Sequence, residues 1–255
     1  MASSSIDNTV RFAILALVVM IAANPVYGQG QISIGSSSRL DTGSGFIDLG
    51  CASLKIDGLI TGRWLGIDDL ETGTHAQLET EMLAFGGNWT SLLPMDVSGQ
   101  TRWQDQCGRT DGTLLGYNRF ESFTITASDA VTRYFDVGSE QTVYRSLELR
   151  GVSAPLTLRS TSESQPARLT VMPSAIWSIF GVDVANIDSS GGQGLAPGAP
   201  ENYQSVDSGG NINWFLKTTA IPIPLLGWTG KLLMLSILLA LGCWRLTTTP
   251  LSRTN

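Results

Sequence analysis

Pairs of apolar residues spaced two apart recur through the middle of the chain and constrain its fold more than any other feature. One polar residue separates the two members of a pair, and successive pairs follow at intervals of 9 to 13 residues: Phe123/Ile125, Phe135/Val137, Leu147/Leu149, Leu156/Leu158, Leu169/Val171 and Val182/Val184. Side chains of a strand alternate between its two faces, so each pair predicts a short strand with one buried face. The regular interval predicts turns between these strands. We therefore expect an all-β domain.

Two all-β architectures fit this pattern, a β-sandwich and a β-solenoid whose coils stack around one continuous core. Asn-Gly dipeptides, a strong signal for β-hairpins, are missing between the strands. The segment Ser146-Leu147-Glu148-Leu149 also resembles Leu156-Thr157-Leu158-Arg159. Both observations favour the solenoid, and the β-sandwich remains the alternative.

A series of short strings along the chain strengthens this interpretation through their shared order. They are Asp48-Leu49-Gly50-Cys51, Leu54-Lys55-Ile56-Asp57-Gly58, Gly87-Asn88-Trp89, Arg102-Trp103-Gln104-Asp105-Gln106-Cys107-Gly108, Phe120-Glu121-Ser122-Phe123-Thr124-Ile125, Val143 to Gly151, Leu156 to Ser160, Val182-Asp183-Val184 and Asp207 to Trp214. In this order the strings resemble bacterial exported surface proteins built as right-handed parallel β-helices. The resemblance covers residues 44–216 and implies that fold for the body of the chain, residues 29–216.

The first 28 residues have the pattern of a secretion signal. Arg11 precedes an apolar run at residues 12–23, and Pro25-Val26-Tyr27-Gly28 offers a cleavage site after Gly28. The run is too short to span a hydrocarbon layer about 30 Å thick. We expect residues 1–28 to be removed and the body to be exported.

The other end of the chain has the pattern of a membrane-spanning sorting signal. A linker at residues 217–224 precedes an apolar stretch at 225–246, which is long enough for one spanning helix, and residues 247–255 follow as a cytoplasmic tail. Lys231 and Arg245 flank the apolar core of this stretch, and Arg245 places the tail in the cytoplasm by the positive-inside rule.

The order of residues in this tail resembles the bacterial PEP-CTERM class of C-terminal sorting signals, in particular its IPTL-CTERM variant. The match rests on four residues: Ile221, Pro222, Pro224 and Trp228. Ile223 and Pro224 depart from the IPTL pattern, in which Thr and Leu stand at these places. The resemblance implies an exosortase-like processing protease and the membrane as partners.

The net charge of residues 29–220 limits the classes of partner that the body of the chain can bind. Residues 29–220 contain 12 Lys and Arg against 21 Asp and Glu, a net charge of about −9. Such a surface disfavours nucleic acid, which is itself a polyanion.

The body contains two cysteines, Cys51 and Cys107, while Cys243 lies in the predicted membrane segment. An even pair in an exported chain predicts one disulfide, and two separate buried thiols are the alternative. A metal site would need more ligands, and the lone His75 has no neighbouring His or Cys. We therefore expect no metal and no cofactor.

The body also has few residues that could form a catalytic site. His75 is the only histidine, which leaves little room for a Ser-His-Asp or Cys-His system. Acidic residues remain, because glycoside-cleaving enzymes work with carboxylates. The candidates are Asp68, Asp69, Asp183 and Asp188, and we expect these to be solvated surface or turn residues, with no catalytic residue in the chain.

Three functional hypotheses follow. The preferred one is a non-catalytic protein displayed at the cell envelope, acting in adhesion or in association with a polysaccharide matrix. The alternative is a carbohydrate-active lyase or hydrolase that uses clustered carboxylates. A passive ligand-binding module is the third, and would require exposed aromatic residues in a groove, for which Trp64, Trp103 and Tyr117 are available.

Overall fold

Every strand pairing is parallel among residues 30–216, the part of the chain that the computed structural model describes. Seventeen strands form a parallel β-solenoid of about eight coils. The predicted solenoid is therefore confirmed and the β-sandwich is wrong. No helix in these residues is long and apolar enough to cross a membrane.

The strand bounds follow the chain order. They are β1 (Gln31–Ile34), β2 (Arg39–Asp41), β3 (Ile47–Ile56), β4 (Leu59–Thr72), β5 (Gln77–Phe85), β6 (Trp89–Ser91), β7 (Met95–Gln104), β8 (Asp111–Leu115), β9 (Asn118–Ala127), β10 (Val131–Phe135), β11 (Glu140–Gly151), β12 (Leu156–Ser160), β13 (Ala167–Val171), β14 (Ile176–Phe180), β15 (Val182–Ala185), β16 (Ile187–Asp188) and β17 (Val206–Asp207), with one 3-10 turn, η1 (Pro200–Tyr203).

Each coil has three sides, and the strands of each side pair from coil to coil as a ladder. Ladder A joins β2, β4, β5, β7, β9, β11, β13 and β16. Ladder B joins β3, β4, β5, β7, β9, β11 and β14. Ladder C joins β1, β3, β4, β6, β8, β10, β12, β15 and β17. Long strands such as β4 and β11 bend from one ladder into the next.

The apolar pairs seen in the sequence therefore lie on different sides of the coils. Leu147 on β11 lies in register with Phe123 on β9 in ladder B. The next pair along the chain, which starts at Leu156, lies on ladder C in register with Val182. The two similar segments at 146–149 and 156–159 thus belong to different ladders of the solenoid.

Columns of inward side chains fill the core. In ladder B, Phe85 and Trp103 lie in register and their rings stack with centroids 5.4 Å apart. Phe120 and Phe123, on the two sides of one bend, stack at 4.3 Å. All four side chains have no exposed surface, and burying each aromatic side chain stabilises the fold by roughly 1.5–3 kcal/mol.

Polar side chains also enter the core where they find partners. The buried amide of Asn118 donates to Gln141 Oε1 on the next coil at 2.9 Å, and Gln141 donates to the Gly116 carbonyl at 2.8 Å. The fully buried Arg133 lies 4.9 Å from the centre of the Trp103 ring. Burial lowers the pKa of Arg133 to about 10, which leaves it charged at neutral pH.

Arg133 also explains the absence of a side chain at Gly112. Its guanidinium donates to the carbonyl oxygens of Gln104 and Asp111 at 2.8 and 3.0 Å. A Cβ on Gly112 would lie 2.9 Å from Arg133 Nη1 and 2.6 Å from the Gly87 carbonyl oxygen. The lack of a side chain at Gly112 therefore leaves room for the buried guanidinium of Arg133.

Aromatic side chains close the C-terminal end of the core. Tyr203 of η1 packs against Trp177 on β14, with centroids 6.0 Å apart, and against Phe215 at 6.4 Å. Phe215 and its neighbour Trp214 are 5 % and 4 % exposed. The Gly- and Ser-rich segment before them, residues 189–210, is largely a loop.

A loop at residues 105–110, here called the axial strap, crosses the coils instead of following them. It leaves β7 and runs back past β5 and β4, so that Cys107 Cβ would meet a Cβ on Gly86 at 3.3 Å. Cys107 reaches Cys51 on β3, with their Cα atoms 5.5 Å apart and their sulfurs bonded. The predicted cysteine pairing is therefore supported by the fold.

The close contacts at Gly112 generate a stability prediction. Gly112→Ala should lower the free energy of unfolding by about 1–3 kcal/mol, because the added methyl group overpacks a site bounded by backbone. Gly35→Ala is the matched control, since its Cβ would meet nothing nearer than Ser38 Oγ at 3.8 Å. Urea denaturation measures both variants, and equal stability of the two would contradict this account of Gly112.

The disulfide generates a second prediction. It closes a sequence separation of 56 residues, and loop entropy gives such a crosslink roughly 4 kcal/mol. The variant with both Cys51→Ser and Cys107→Ser should lose stability of this order in denaturant titrations. Reductant should destabilise the unmodified chain by the same amount and leave the double variant unchanged; a reductant effect of equal size on both would refute the crosslink.

Candidate functional site

A groove runs along the outer surface of ladder A. Three adjoining depressions of about 590, 190 and 370 Å³ form it, and the smallest shares residues with both of the others. Its lining comes from β5, β7, β9, β11 and β13, ending beside β16: Gln77, Glu79, Asp96, Arg119, Glu121, Glu140, Tyr144, Arg168, Tyr117 and Asp188. These six strands cover about 24 Å at about 4.8 Å per strand. We call this feature the ladder A groove.

Strand alternation explains why polar residues line the groove. On β9, Asn118 and Phe120 point into the core and are fully buried, so Arg119 and Glu121 point outward. Neighbouring strands stay in register, which places Asp96 beside Arg119. The groove is therefore a row of outward positions from consecutive coils.

Two exposed tyrosines flank the central depression of the groove. Tyr117, in the turn before β9, is 52 % exposed, and Tyr144, on β11, is 44 % exposed. Pro94 adds a third apolar surface beside them. An amphipathic ring that remains in water on a folded protein offers a flat contact for a ligand and a hydroxyl for hydrogen bonding.

Charged residues in the groove pair with opposite charges. Arg119 Nη1 lies 3.4 Å from Asp96 Oδ1, and Arg145 Nη1 lies 2.8 Å from Glu121 Oε1. The backbone N–H of Gly99 donates to Glu121 Oε2 at 2.8 Å. This backbone hydrogen bond and then the Arg145 guanidinium hold the pKa of Glu121 below its ordinary 4.5.

The predicted acidic residues Asp68 and Asp69 form ion pairs with a residue of the axial strap. Arg109 of the strap donates to both carboxylate oxygens of Asp68, at 2.8 and 3.0 Å, and to Asp69 at 3.2 Å. Asn88 donates to Asp69 through its backbone and side chain, at 2.7 and 3.0 Å. The expectation that Asp68 is solvated is wrong, because the strap leaves it only 8 % exposed.

The other two predicted acids lie elsewhere. Arg159 donates to Asp183 at 2.7 Å and Ser208 donates at 2.5 Å. Burial by itself would raise the pKa of Asp183, but these hydrogen bonds outweigh burial and lower it. Asp188 caps its own turn by accepting from the Ser190 N–H at 2.7 Å.

The structure does not bring the four acids together. β4, which carries Asp68 and Asp69, and β15, which carries Asp183, are five strand steps apart on ladder C. At about 4.8 Å per step, the separation is about 24 Å. These four residues therefore form no common acidic groove.

His75 lies in the turn after β4 and has 68 % of its side chain exposed. Its backbone N–H donates to Asp57 Oδ1 at 2.9 Å, and its Nδ1 lies 3.3 Å from Asp57 Oδ2. The backbone hydrogen bond is the main reason why the pKa of Asp57 is lowered. Within residues 30–216, no group of three or more His, Cys, Asp or Glu side chains is placed to hold a metal ion.

Of the three aromatic residues considered as ligand contacts, one reaches the groove. Trp64 and Trp103 are 1 % and 0 % exposed and belong to the core, whereas Tyr117 lines the groove. Sequence reasoning missed Tyr144. Its available signal was the Tyr144-Arg145 pair, two bulky residues in succession that are both exposed at the bend of β11.

A second depression of about 330 Å³ lies on ladder C near the start of the solenoid. Its acids already have partners: Asp69 accepts from Asn88 and Arg109, and Lys55 donates to Glu71 at 2.6 Å. It has no aromatic lining residue. The ladder A groove is therefore the better candidate for a binding site.

Comparisons with protein-family models, with curated proteins and with solved structures find no match for this chain. The predicted cleavage site at Gly28 lies outside the described residues. The same holds for the predicted sorting and membrane-flanking residues, which are Ile221, Pro222, Pro224, Trp228, Lys231 and Arg245.

The lowered pKa of Glu121 generates a prediction about acid stability. A carboxylate whose pKa is lower in the folded state stabilises the fold above its ordinary value of 4.5 and loses this effect as the pH falls through the folded pKa. Melting temperature should therefore fall less steeply on acidification below pH 4.5 in Glu121→Gln than in the unmodified chain. Glu79→Gln, on β5 and two strands away in the groove, is the control; an identical slope for Glu121→Gln and the unmodified chain would contradict the prediction.

Proposed function

We propose that this chain is a non-catalytic protein of the cell envelope whose solenoid associates with extracellular polysaccharide through the ladder A groove. The observation that carries the proposal is the pair of exposed tyrosines, Tyr117 and Tyr144, standing over a polar groove about 24 Å long. A groove of this length suits an extended polymer better than a compact small molecule.

The chemistry of the lining fits sugar rings. A pyranose has an apolar face of C–H groups and a rim of hydroxyls. Tyr117 and Tyr144 can cover the apolar face, while the guanidinium of Arg119 donates to hydroxyls and the carboxylate of Glu140 accepts from them. A few placed polar groups around apolar contact surface is the usual composition of a ligand site.

The state of Glu121, one carboxylate of the groove, favours binding over cleavage. A glycosidase needs a carboxylic acid whose pKa is raised so that it can protonate the leaving group. The pKa of Glu121 is instead lowered. The lyase or hydrolase remains the alternative, and it would have to use groove carboxylates such as Asp96, Glu140 and Asp188, since Asp68, Asp69 and Asp183 lie outside the groove.

Export of the body and its tethering at the membrane are also part of the proposal, and the support for both comes from the sequence. Cleavage after Gly28 would release the body outside, and the segment around Ile221, Pro222, Pro224 and Trp228 would direct it to an exosortase-like protease at the membrane. Right-handed coiling belongs to the same proposal, because parallel crossovers are right-handed in about 98 % of cases. Fractionation of cells that express the chain with and without residues 221–255 tests the tail, and an unchanged location would refute its role.

The binding proposal predicts that the tyrosines control retention on polysaccharide. The full chain, kept in solution by a mild detergent, is passed over immobilised cellulose, xylan, amylose and alginate. Tyr144→Ala and Tyr117→Ala should each weaken retention about tenfold on whichever polysaccharide binds, since a lost ring contact of about 1.4 kcal/mol corresponds to that factor.

Tyr134→Ala is the matched control for these variants. It removes a tyrosine from β10, on ladder C, away from the groove. Retention should match that of the unmodified chain. The proposal fails if none of these polysaccharides retains the protein, or if the three variants are retained equally.

A further inference from the structure

We infer that the ladder A groove selects uncharged polysaccharide, because each arginine along the groove lies beside a carboxylate. This inference deepens the proposed function and rests on it. Its basis is the arrangement of charges over consecutive coils, which is independent of the tyrosines that carry the binding proposal.

The charges alternate in sign from strand to strand. Asp96 on β7 lies in register with Arg119 on β9 and forms an ion pair with it at 3.4 Å. Farther along, Glu140 on β11 lies in register with Arg168 on β13, which lies in register with Asp188 on β16. No two arginines follow each other in either row.

Two carboxylates of the groove wall, those of Glu121 and Glu140, also accept hydrogen bonds from other groups of the protein. Glu121 accepts from Arg145 at 2.8 Å and from the Gly99 N–H at 2.8 Å. Glu140 accepts from Thr170 Oγ1 at 2.8 Å. Each arginine of the groove therefore has a carboxylate as its neighbour, and the groove offers no continuous strip of positive charge.

Such a surface opposes a polyanion and tolerates a neutral chain. A polyuronate carries one negative charge on each sugar, so an extended chain would place carboxylates next to Asp96, Glu140 or Asp188 as well as next to the arginines. The net charge of about −9 on residues 29–220 adds a repulsive field at longer range. Hydroxyl groups, by contrast, donate to carboxylates and accept from guanidinium groups, so both signs serve a neutral glycan.

The test compares uncharged and charged polymers on the same protein. The full chain in mild detergent is applied to immobilised cellulose, xylan and amylose, and in parallel to alginate, a polyuronate. We expect retention by at least one uncharged polymer, and none by alginate. Raising NaCl from about 0.05 M to about 0.5 M should change the retention on the uncharged polymer by less than about twofold, since no interaction between net charges is screened.

A double variant that removes two carboxylates from the groove tests the role of the paired charges directly. Asp96→Asn combined with Glu140→Gln removes a carboxylate beside Arg119 and one beside Arg168. This double variant should gain retention on alginate of about tenfold or more at low salt, and lose that gain at high salt. Asp41→Asn combined with Glu163→Gln, which changes net charge equally but outside the groove lining, is the control and should gain nothing.

The outcomes separate the inference from the proposed function. If alginate retains the unmodified chain and Tyr144→Ala abolishes that retention, the selectivity is overturned but polysaccharide binding stands. This holds whether or not an uncharged polymer also binds. Failure of the double variant to gain retention on alginate also overturns the selectivity. Absence of retention on every polymer overturns the proposed function itself.

Discussion

Parallel hydrogen bonding between consecutive coils is the constraint on which the rest of the molecule depends. Because each strand pairs in register with the strand one coil away, every side chain lies beside the same position of the next coil. Inward positions therefore become columns that must all be filled, such as the column containing Phe85 and Trp103. Outward positions become rows on the surface, and the ladder A groove is one such row.

The same constraint explains how far sequence reasoning could go. Alternation within each pair was sufficient to predict strands, whereas the regular interval fitted a β-sandwich as well as a solenoid. The missing Asn-Gly dipeptides and the resemblance of residues 44–216 to parallel β-helices favoured the solenoid. The number of sides per coil was not encoded in that interval, so the partner of Leu147 was found only in the fold, where it is Phe123. Asp68 was misjudged for a similar reason, because its burial depends on the path of a loop whose Arg109 lies 41 residues downstream.

The candidate site was only partly predictable. Tyr117 could be singled out as a possible ligand contact, but Trp64 and Trp103 could not be separated from it, because a tryptophan pattern gives no direction in or out of the core. Tyr144 is outward because β11 bends between ladders A and B after Val143. A groove assembled from six strands, each of which contributes one to four residues, leaves no contiguous motif in the chain.

The axial strap has a mechanical consequence. A solenoid is a one-dimensional stack in which each coil contacts only its neighbours, so coils can detach one after another from either end. The bond between Cys51 and Cys107 and the contact of Arg109 with Asp68 fasten the first coils to one another across the stack. Pulling on the chain would therefore peel coils from the C-terminal end of the solenoid first, where the packing of aromatic residues such as Trp177, Tyr203 and Phe215 closes the core.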